Sequence, residues 1–328
     1  MPRLTALDER LAHQIPEPFP YVSIPHPHWR ESYFFVAHSP DPDGDVVILT
    51  MATHPQQQKL DCYQMGRIRG KQIFALHERA YGDDPHATRV GPVAVEIVEP
   101  FERIQLAVDP RGAGVPVGLE LEFRARTQPY ALRRGSLELD GTLVWDQSHM
   151  VQAGTYEGWY GVGGERIRVD GWLGQRDHSW GVRDHAHCPL WIWLAIQLPD
   201  AMLAVWHWER ADGSHVYTDG CLAPTDGGEP IALRHFEHAL EWLDAAGDPV
   251  SYGRDGQGVR GLAGRVAFEL EDGRRIGVEA RGHWCAPYGP RGGGQHRMQV
   301  ETDDGRRGSA IYEITGAHHR HFFPIARG

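Results

Sequence analysis

The chain has 328 residues, 41 % hydrophobic and 23 % charged, enough core material for two ordinary domains or one large β-domain. Its net charge of −11, from 33 Lys and Arg against 44 Asp and Glu, repels phosphate backbones, and no basic stripe is interleaved with aromatics, which excludes nucleic acid as a partner. The longest apolar run, near Leu190–Ile196, is too short to span a bilayer, so no integral membrane segment is expected.

The opening "MPRLTALDERLAHQIPEPFP" carries acids and no apolar stretch, which predicts no secretory signal. Cys62, Cys188, Cys221 and Cys285 lack paired spacing and read as reduced thiols, so a cytoplasmic protein is expected. "TALDERLAHQ" predicts one short helix, with Thr5 as N-cap and Glu9 near the capping-box position.

Beyond that helix the hydrophobic period is two. "VVILTMA", "VAVEIVE" and "LELEFRA" are strand candidates. "GSLELDGTLVWDQ" reads as strand, Asp140-Gly141 turn, strand. "IWLAIQLPDAMLAVWHWERADGSHVYTDG" gives two strands around Pro199-Asp200 and a further turn at Asp212-Gly213. "GRVAFELEDGRRIGVEARGHW" repeats the hairpin pattern around Asp272-Gly273, and "SAIYEIT" adds a late strand. An all-β, antiparallel architecture accounts for this spacing. "HPHWRESYFFVAHSP…DVVILTMAT" also echoes "CPLWIWLAIQLPD…AMLAVWHWE", which predicts two similar β-barrels or sandwiches with a His- and Asp-rich junction.

That junction is "GQRDHSWGVRDHAHC", Gly174 to Cys188. If "RDHSW" is extended, Arg176, His178 and Trp180 share one face, with Asp177 and Ser179 opposite. Gly181 permits a bulge, after which Arg183 and Asp184 turn back toward the same site. The segment then offers an acid or base in His178, an aromatic face in Trp180, a cation in Arg183 and carboxylates in Asp177 and Asp184. The structural alternative is that Arg–Asp pairs lock a β-bend and the tryptophan plugs the core.

Trp191, Trp193, Trp206 and Trp208 lie close behind, two on one face of each of two adjacent strands. Each alone reads as core; four beside an acid–base cluster suit a pocket for an apolar ligand. Tyr217 and Asp219 in "HVYTDG" share a face just before a turn, an arrangement that is as readily structural as functional.

Metal binding is the competing reading, since the chain holds 20 histidines, clustered at His26/His28, His185/His187 and His318/His319/His321. No Glu or Asp stands at a recognisable third-ligand spacing, so no metal and no cofactor are expected. G-x-S-x-G, P-loop and dinucleotide-binding motifs are absent from the sequence.

On "RDHSWGVRD", the preceding "GTYEGWYGVGGERIRVDGWLGQ" and, more loosely, "VYTDG", the chain resembles the carotenoid hydratase (hydroxyneurosporene synthase) and AttH-like superfamily. The resemblance implies two tandem lipocalin-like β-barrels, here assigned to residues 1–170 and 171–328. It also implies an H-x-W pair and, downstream, a Y-x-D pair as catalytic residues, matched by His178 and Trp180 and by Tyr217 and Asp219. The activity it implies is that of a lyase-type enzyme, a hydratase, isomerase or cyclase, acting by acid–base chemistry on a hydrophobic alkene such as a terpenoid, steroid or polyketide.

In this expectation Asp219 is the acid, kept protonated by an apolar pocket, and Tyr217 orients it. Trp180 faces the carbocation, helped by Trp191 and Trp193, with Trp206 and Trp208 completing the substrate wall. His178 holds water or removes a proton, oriented by Asp177, Arg183 and Asp184. A monomer or homodimer is compatible with the pattern. The rival is a carrier of hydrophobic ligands with no chemistry, whose Asp219 would be solvent-exposed and whose "RDHSW" side chains would pair with one another.

Overall fold

The structure is a computed structural model that describes residues 4–11, 25–82, 84, 87–184, 187, 190–210, 212–252, 256, 258–287 and 293–315. His185, Cys188 and the His318/His319/His321 cluster lie outside the described residues. The chain folds as two compact units, 1–185 and 186–328. Both are antiparallel β-barrels, the first nearly closed and the second closed.

The first unit contains β1 (Trp29–His38), β2 (Val46–His54), β3 (Lys59–Ile68), β4 (Lys71–Ala80), β5 (Arg89–Val90), β6 (Val93–Glu99), β7 (Arg103–Val108) and β8 (Gly118–Ala125). It continues through β9 (Tyr130–Leu139), β10 (Thr142–Val162) and β11 (Glu165–Arg183). The strand order is β4-β3-β2-β1-β11-β10-β8-β7-β6-β5, with β9 branching off to pair with the first half of β10. Arg79 of β4 bridges toward β5 by donating to the carbonyls of Arg89, Ala87 and Tyr81. The expected division after residue 170 falls inside β11.

The second unit contains β12 (Leu190–Gln197), β13 (Ala201–Glu209), β14 (His215–Pro224), β15 (Ile231–Leu243), β16 (Gly261–Leu270), β17 (Arg275–Pro287), β18 (Gly294–Thr302) and β19 (Arg307–Thr315). Each strand pairs with the next, and β19 returns to β12 to close the barrel. The echo in the sequence marks corresponding places, since β1–β2 and β12–β13 are each the opening hairpin of a barrel.

Alternation and turn chemistry explain why these residues form strands. Asp140 and Gly141 have φ of 50° and 76°, the left-handed pair that a tight hairpin between β9 and β10 requires. Inward side chains fill each barrel: Tyr33, Phe35, Leu49, Met51, Leu106, Phe123 and Tyr156 in the first, Leu190, Ile192, Leu194, Leu203, Phe236, Phe268 and Tyr312 in the second. Burying that apolar area supplies the main drive for each fold.

One expectation is corrected at the N-terminus. In place of a helix, Ala6–Glu9 makes a single 3-10 turn. Asp8, not Glu9, closes the capping box, its carboxylate accepting from the Thr5 N–H at 2.7 Å. Glu9 is fully buried and turns toward the barrel, because a charge partner waits there. Residues 12–14 of the expected helix lie outside the described residues. No helix among the described residues is long and apolar enough to cross a membrane.

Candidate active site

Residue alternation along β11 decides what each junction side chain does. The register of β11 against β1 and against β10 runs without a break through Gly181, so there is no bulge there. Gly181 has φ of 134°, and a Cβ at that position would stand 2.1 Å from the Asp146 carbonyl oxygen. The glycine therefore serves close strand approach. Arg176, His178 and Trp180 accordingly face the barrel interior, opposite Phe35, Tyr33 and Glu31 of β1.

Arg176 and His178 are both fully buried. Arg176 donates to both carboxylate oxygens of Glu9, at 2.5 and 2.7 Å, and to Gln152 Oε1 at 3.0 and 2.8 Å. Glu9 also accepts from the Phe101 N–H at 2.6 Å, while its own carbonyl accepts from the Tyr33 hydroxyl at 2.5 Å. The 3-10 turn is thus pinned onto the inner face of β1 and β11. Burial, reinforced by the Glu9 charge, pushes the Tyr33 hydroxyl well above the usual phenol range, so it remains a donor.

His178 Nδ1 lies 2.8 Å from the Asp8 carbonyl oxygen, and Nε2 lies 3.0 Å from Glu31 Oε1. A carbonyl only accepts, so the proton on Nδ1 is assigned. Nε2 and a carboxylate oxygen can then bond only by sharing one further proton: either imidazolium faces carboxylate, or imidazole faces carboxylic acid. Both side chains are fully buried. The His178 ring sits 5.2 Å from the Trp180 ring, edge to face, and 4.7 Å from the Tyr33 ring.

The three residues expected to orient His178 are engaged elsewhere. Asp177 faces the opposite side of β11, its Oδ1 3.2 Å from His149 Nε2. Arg183 shares that side and donates to Ser32 at 3.0 Å and Ser179 at 3.2 Å. Asp184 lies 3.8 Å from His28. The imidazole is instead positioned by Asp8 and Glu31, two residues that strand spacing around β11 does not reveal. Glu31 is legible in the sequence only as a polar residue at an inward position of "WRESYFF".

In the second unit the four tryptophans lie on the outer face of β12 and β13, buried nonetheless. Trp191 is cross-strand to Trp208 and Trp193 to Trp206, with ring separations of 5.4 and 6.4 Å. Trp191 donates its indole N–H to Glu313 at 3.0 Å. Tyr217 and Asp219 join this face, opposite Trp208 and Trp206 respectively. Tyr217 meets Trp206 edge-on at 5.9 Å, and Asp219, 2 % exposed, accepts from the Gly220 N–H at 2.9 Å. H-x-W lies on the inner face of the first barrel, and Y-x-D lies on an aromatic outer face of the second.

The inner face of β13 holds residues that the motif reading passes over, His207 and Glu209, together with His238 of β15. Burial lowers the pKa of His207, opposed by its hydrogen bond to Glu209. The expected His26/His28 pair shows ring centroids 5.5 Å apart. A surface groove of about 490 Å³, lined by Glu157, Trp159, Arg166, Arg168 and Asp170, lies where β10 meets β11 and contains none of the expected site residues.

Comparison with known proteins agrees with this architecture. The model of a family described as "Family of unknown function (DUF8625)" matches residues 4–239. By fold the chain is similar to an AttH-like protein of Nitrosomonas europaea, with 13 % identity, TM-score 0.60, and coverage of 88 % of this chain and 93 % of that one. It is also similar to kievitone hydratase of Nectria haematococca, with 9 % identity, TM-score 0.52, and coverage of 94 % and 95 %. CghA with Sch210972 matches at 14 % identity, TM-score 0.57, and coverage of 94 % and 97 %. No curated protein matches the chain by sequence. The fold implied by "RDHSWGVRD" is the fold found.

Proposed function

The chain belongs to the family of unknown function DUF8625, and from that premise we propose that it is a lyase-type enzyme, a hydratase, isomerase or cyclase that moves protons on a hydrophobic alkene. The observation that carries this reading is the 3.0 Å contact of His178 Nε2 with Glu31 Oε1, both buried, with Nδ1 2.8 Å from a carbonyl oxygen, a geometry that calls for one proton between them. A buried pair of this kind is a proton source that also serves as a proton sink, and general acid–base catalysis by such a group is worth about 10²–10⁴-fold in rate.

Protonating an unactivated alkene creates a carbocation, which needs an electron-rich surface and little water. Trp180 stands beside the imidazole, half-buried, and its ring face stabilises a neighbouring cation by about 2 kcal/mol where water is excluded. Glu31 and His178 together then retake a proton to end an isomerisation or cyclisation, or take one from an attacking water to end a hydration. Tyr217 and Asp219 are the second proposed acid–base pair, and Trp191, Trp193, Trp206 and Trp208 the surface for hydrocarbon. Asp219 is buried opposite Trp206, which sets a carboxyl group beside that hydrocarbon surface and supports that role. Kievitone hydratase, a fold relative, carries hydration in its name, which supports the hydratase class.

The carrier reading expects an exposed Asp219, which the 2 % exposure disfavours. It also expects the junction side chains to pair with one another; Arg183 and Ser179 do so, whereas Arg176 pairs with Glu9 and Asp177 with His149. Catalytic weight in the first unit therefore falls on His178 and Glu31.

The test is incubation of the full chain with terpenoid, steroid and polyketide alkenes in D₂O, read by mass spectrometry. Turnover places deuterium on carbon; hydration adds D₂O as well. Glu31→Gln and Asp219→Asn should each abolish incorporation while ligand still binds. Bound alkenes that gain no carbon-bound deuterium would establish a carrier, and full activity in Glu31→Gln would remove the shared proton from the mechanism.

A further inference from the structure

The second barrel contains a cluster of ligating side chains that the proposed chemistry does not use. β14 and β15 hydrogen-bond through Cys221–Ala232 and Leu222–Ile231 alone among the described residues, then diverge. At the level of Thr218 the wall between them is therefore not closed by backbone pairing. His207 and Glu209, two apart on β13, point inward there. His238 points inward from β15, its ring stacked on that of the core residue Phe236.

His207 Nε2 and His238 Nε2 each stand 3.0 Å from the same oxygen, Glu209 Oε1. All three ligand atoms lie within 4.8 Å of one another. Adjacent ligands bound at about 2.1 Å to one ion are separated by about 3.0–3.4 Å, so both imidazole–carboxylate distances already match coordination spacing. The far nitrogen of His207 is held as well: Nδ1 lies 2.6 Å from Thr218 Oγ1, which in turn lies 2.9 Å from His215 Nε2. Metal-binding imidazoles are usually oriented in this way through their second nitrogen.

We propose that His207, Glu209 and His238 form a site for a divalent transition metal of the zinc class, in the opening between β14 and β15. Two imidazoles and one carboxylate make a donor set suited to zinc, leaving at least one position for water or a small anion. The ion ties β13 to β15 across the stretch where β14 and β15 do not pair. Thr218 is a positioning residue, fixing the His207 ring. The sequence signal is His-x-Glu at period two on a strand, with the third ligand supplied from another strand.

The experiment titrates zinc chloride into the metal-stripped full chain by calorimetry and follows thermal unfolding with and without zinc. The expected result is one zinc per chain and a raised melting temperature. Glu209→Gln and His238→Gln, near-isosteric changes checked for fold by circular dichroism, should each weaken binding by about a hundredfold or more and cancel the thermal shift. Thr218→Val should weaken it about ten- to a hundredfold. Cobalt in place of zinc should give visible absorption that His238→Gln abolishes. Absence of stoichiometric binding to the wild-type chain at micromolar zinc, or binding unchanged in both ligand variants, would overturn the proposal.

Discussion

Replacing Glu9 tests whether the N-terminal turn is part of the first barrel. The Glu9 carboxylate takes two hydrogen bonds from Arg176 and one from the Phe101 N–H, and neither Glu9 nor Arg176 exposes any side-chain surface. Glu9→Gln leaves the guanidinium buried with Gln152 as its remaining partner of this group. Breaking one side of a buried pair costs about 3–5 kcal/mol, because the orphaned charge keeps its desolvation penalty. For a unit the size of residues 1–185, one kcal/mol shifts the melting temperature by about 2–4 °C. The expected loss is therefore about 6–20 °C in the transition of the first unit, resolved by differential scanning calorimetry. The double variant Glu9→Leu with Arg176→Met removes both charges and should recover more than half of that loss. A shift under about 3 °C for Glu9→Gln would show that water reaches the pair and that the turn is not pinned.

Glu31→Gln can donate its amide N–H to His178 Nε2, so the bond survives without its mobile proton; turnover should fall by about 10²–10⁴-fold with little change in stability. Nitrogen NMR on labelled histidine should find Nδ1 of His178 protonated, and a bare Nδ1 would refute the assigned tautomer. Gly181→Ala should cost about 2 kcal/mol or more in urea unfolding, from positive φ and from collision with the Asp146 carbonyl; an unchanged midpoint would mean that β10 and β11 separate readily. His296 is buried against Trp284 and held to about pH 3, below its ordinary 6.5, so it stays neutral in the fold while the unfolded chain takes up a proton. Its contribution is flat above pH 6.5 and is lost on acidification from 6.5 toward 3, by about 1.4 kcal/mol per pH unit. His296→Gln should remove that slope from the second unit, and identical acid profiles would refute it.

The alternation in "RDHSW" is enough to place Arg176, His178 and Trp180 on one face, and the structure keeps that face. The same alternation, carried without a bulge through Gly181, places Arg183 with Asp177 and Ser179, where a bulge would have turned it toward His178. The tryptophan pairs are legible for the same reason, since Trp191 and Trp193 must share a side of a strand. The place of Glu9 is not legible, because a capping box depends on four local residues, whereas its carboxylate answers a charge 167 residues away.

Strand class, turn positions and the side to which each residue points derive from period two and from residues such as Asp140-Gly141, because these depend on neighbours along the chain. Partner choice does not. Sheet closure brings Glu31 to His178, 147 residues distant, Glu9 to Arg176, and His238 to Glu209 across diverging strands. Those meetings are fixed by register and by the high cost of burying an unpaired charge, both properties of the assembled barrel, so only the tertiary structure decided where the shared proton and the candidate ligands lie.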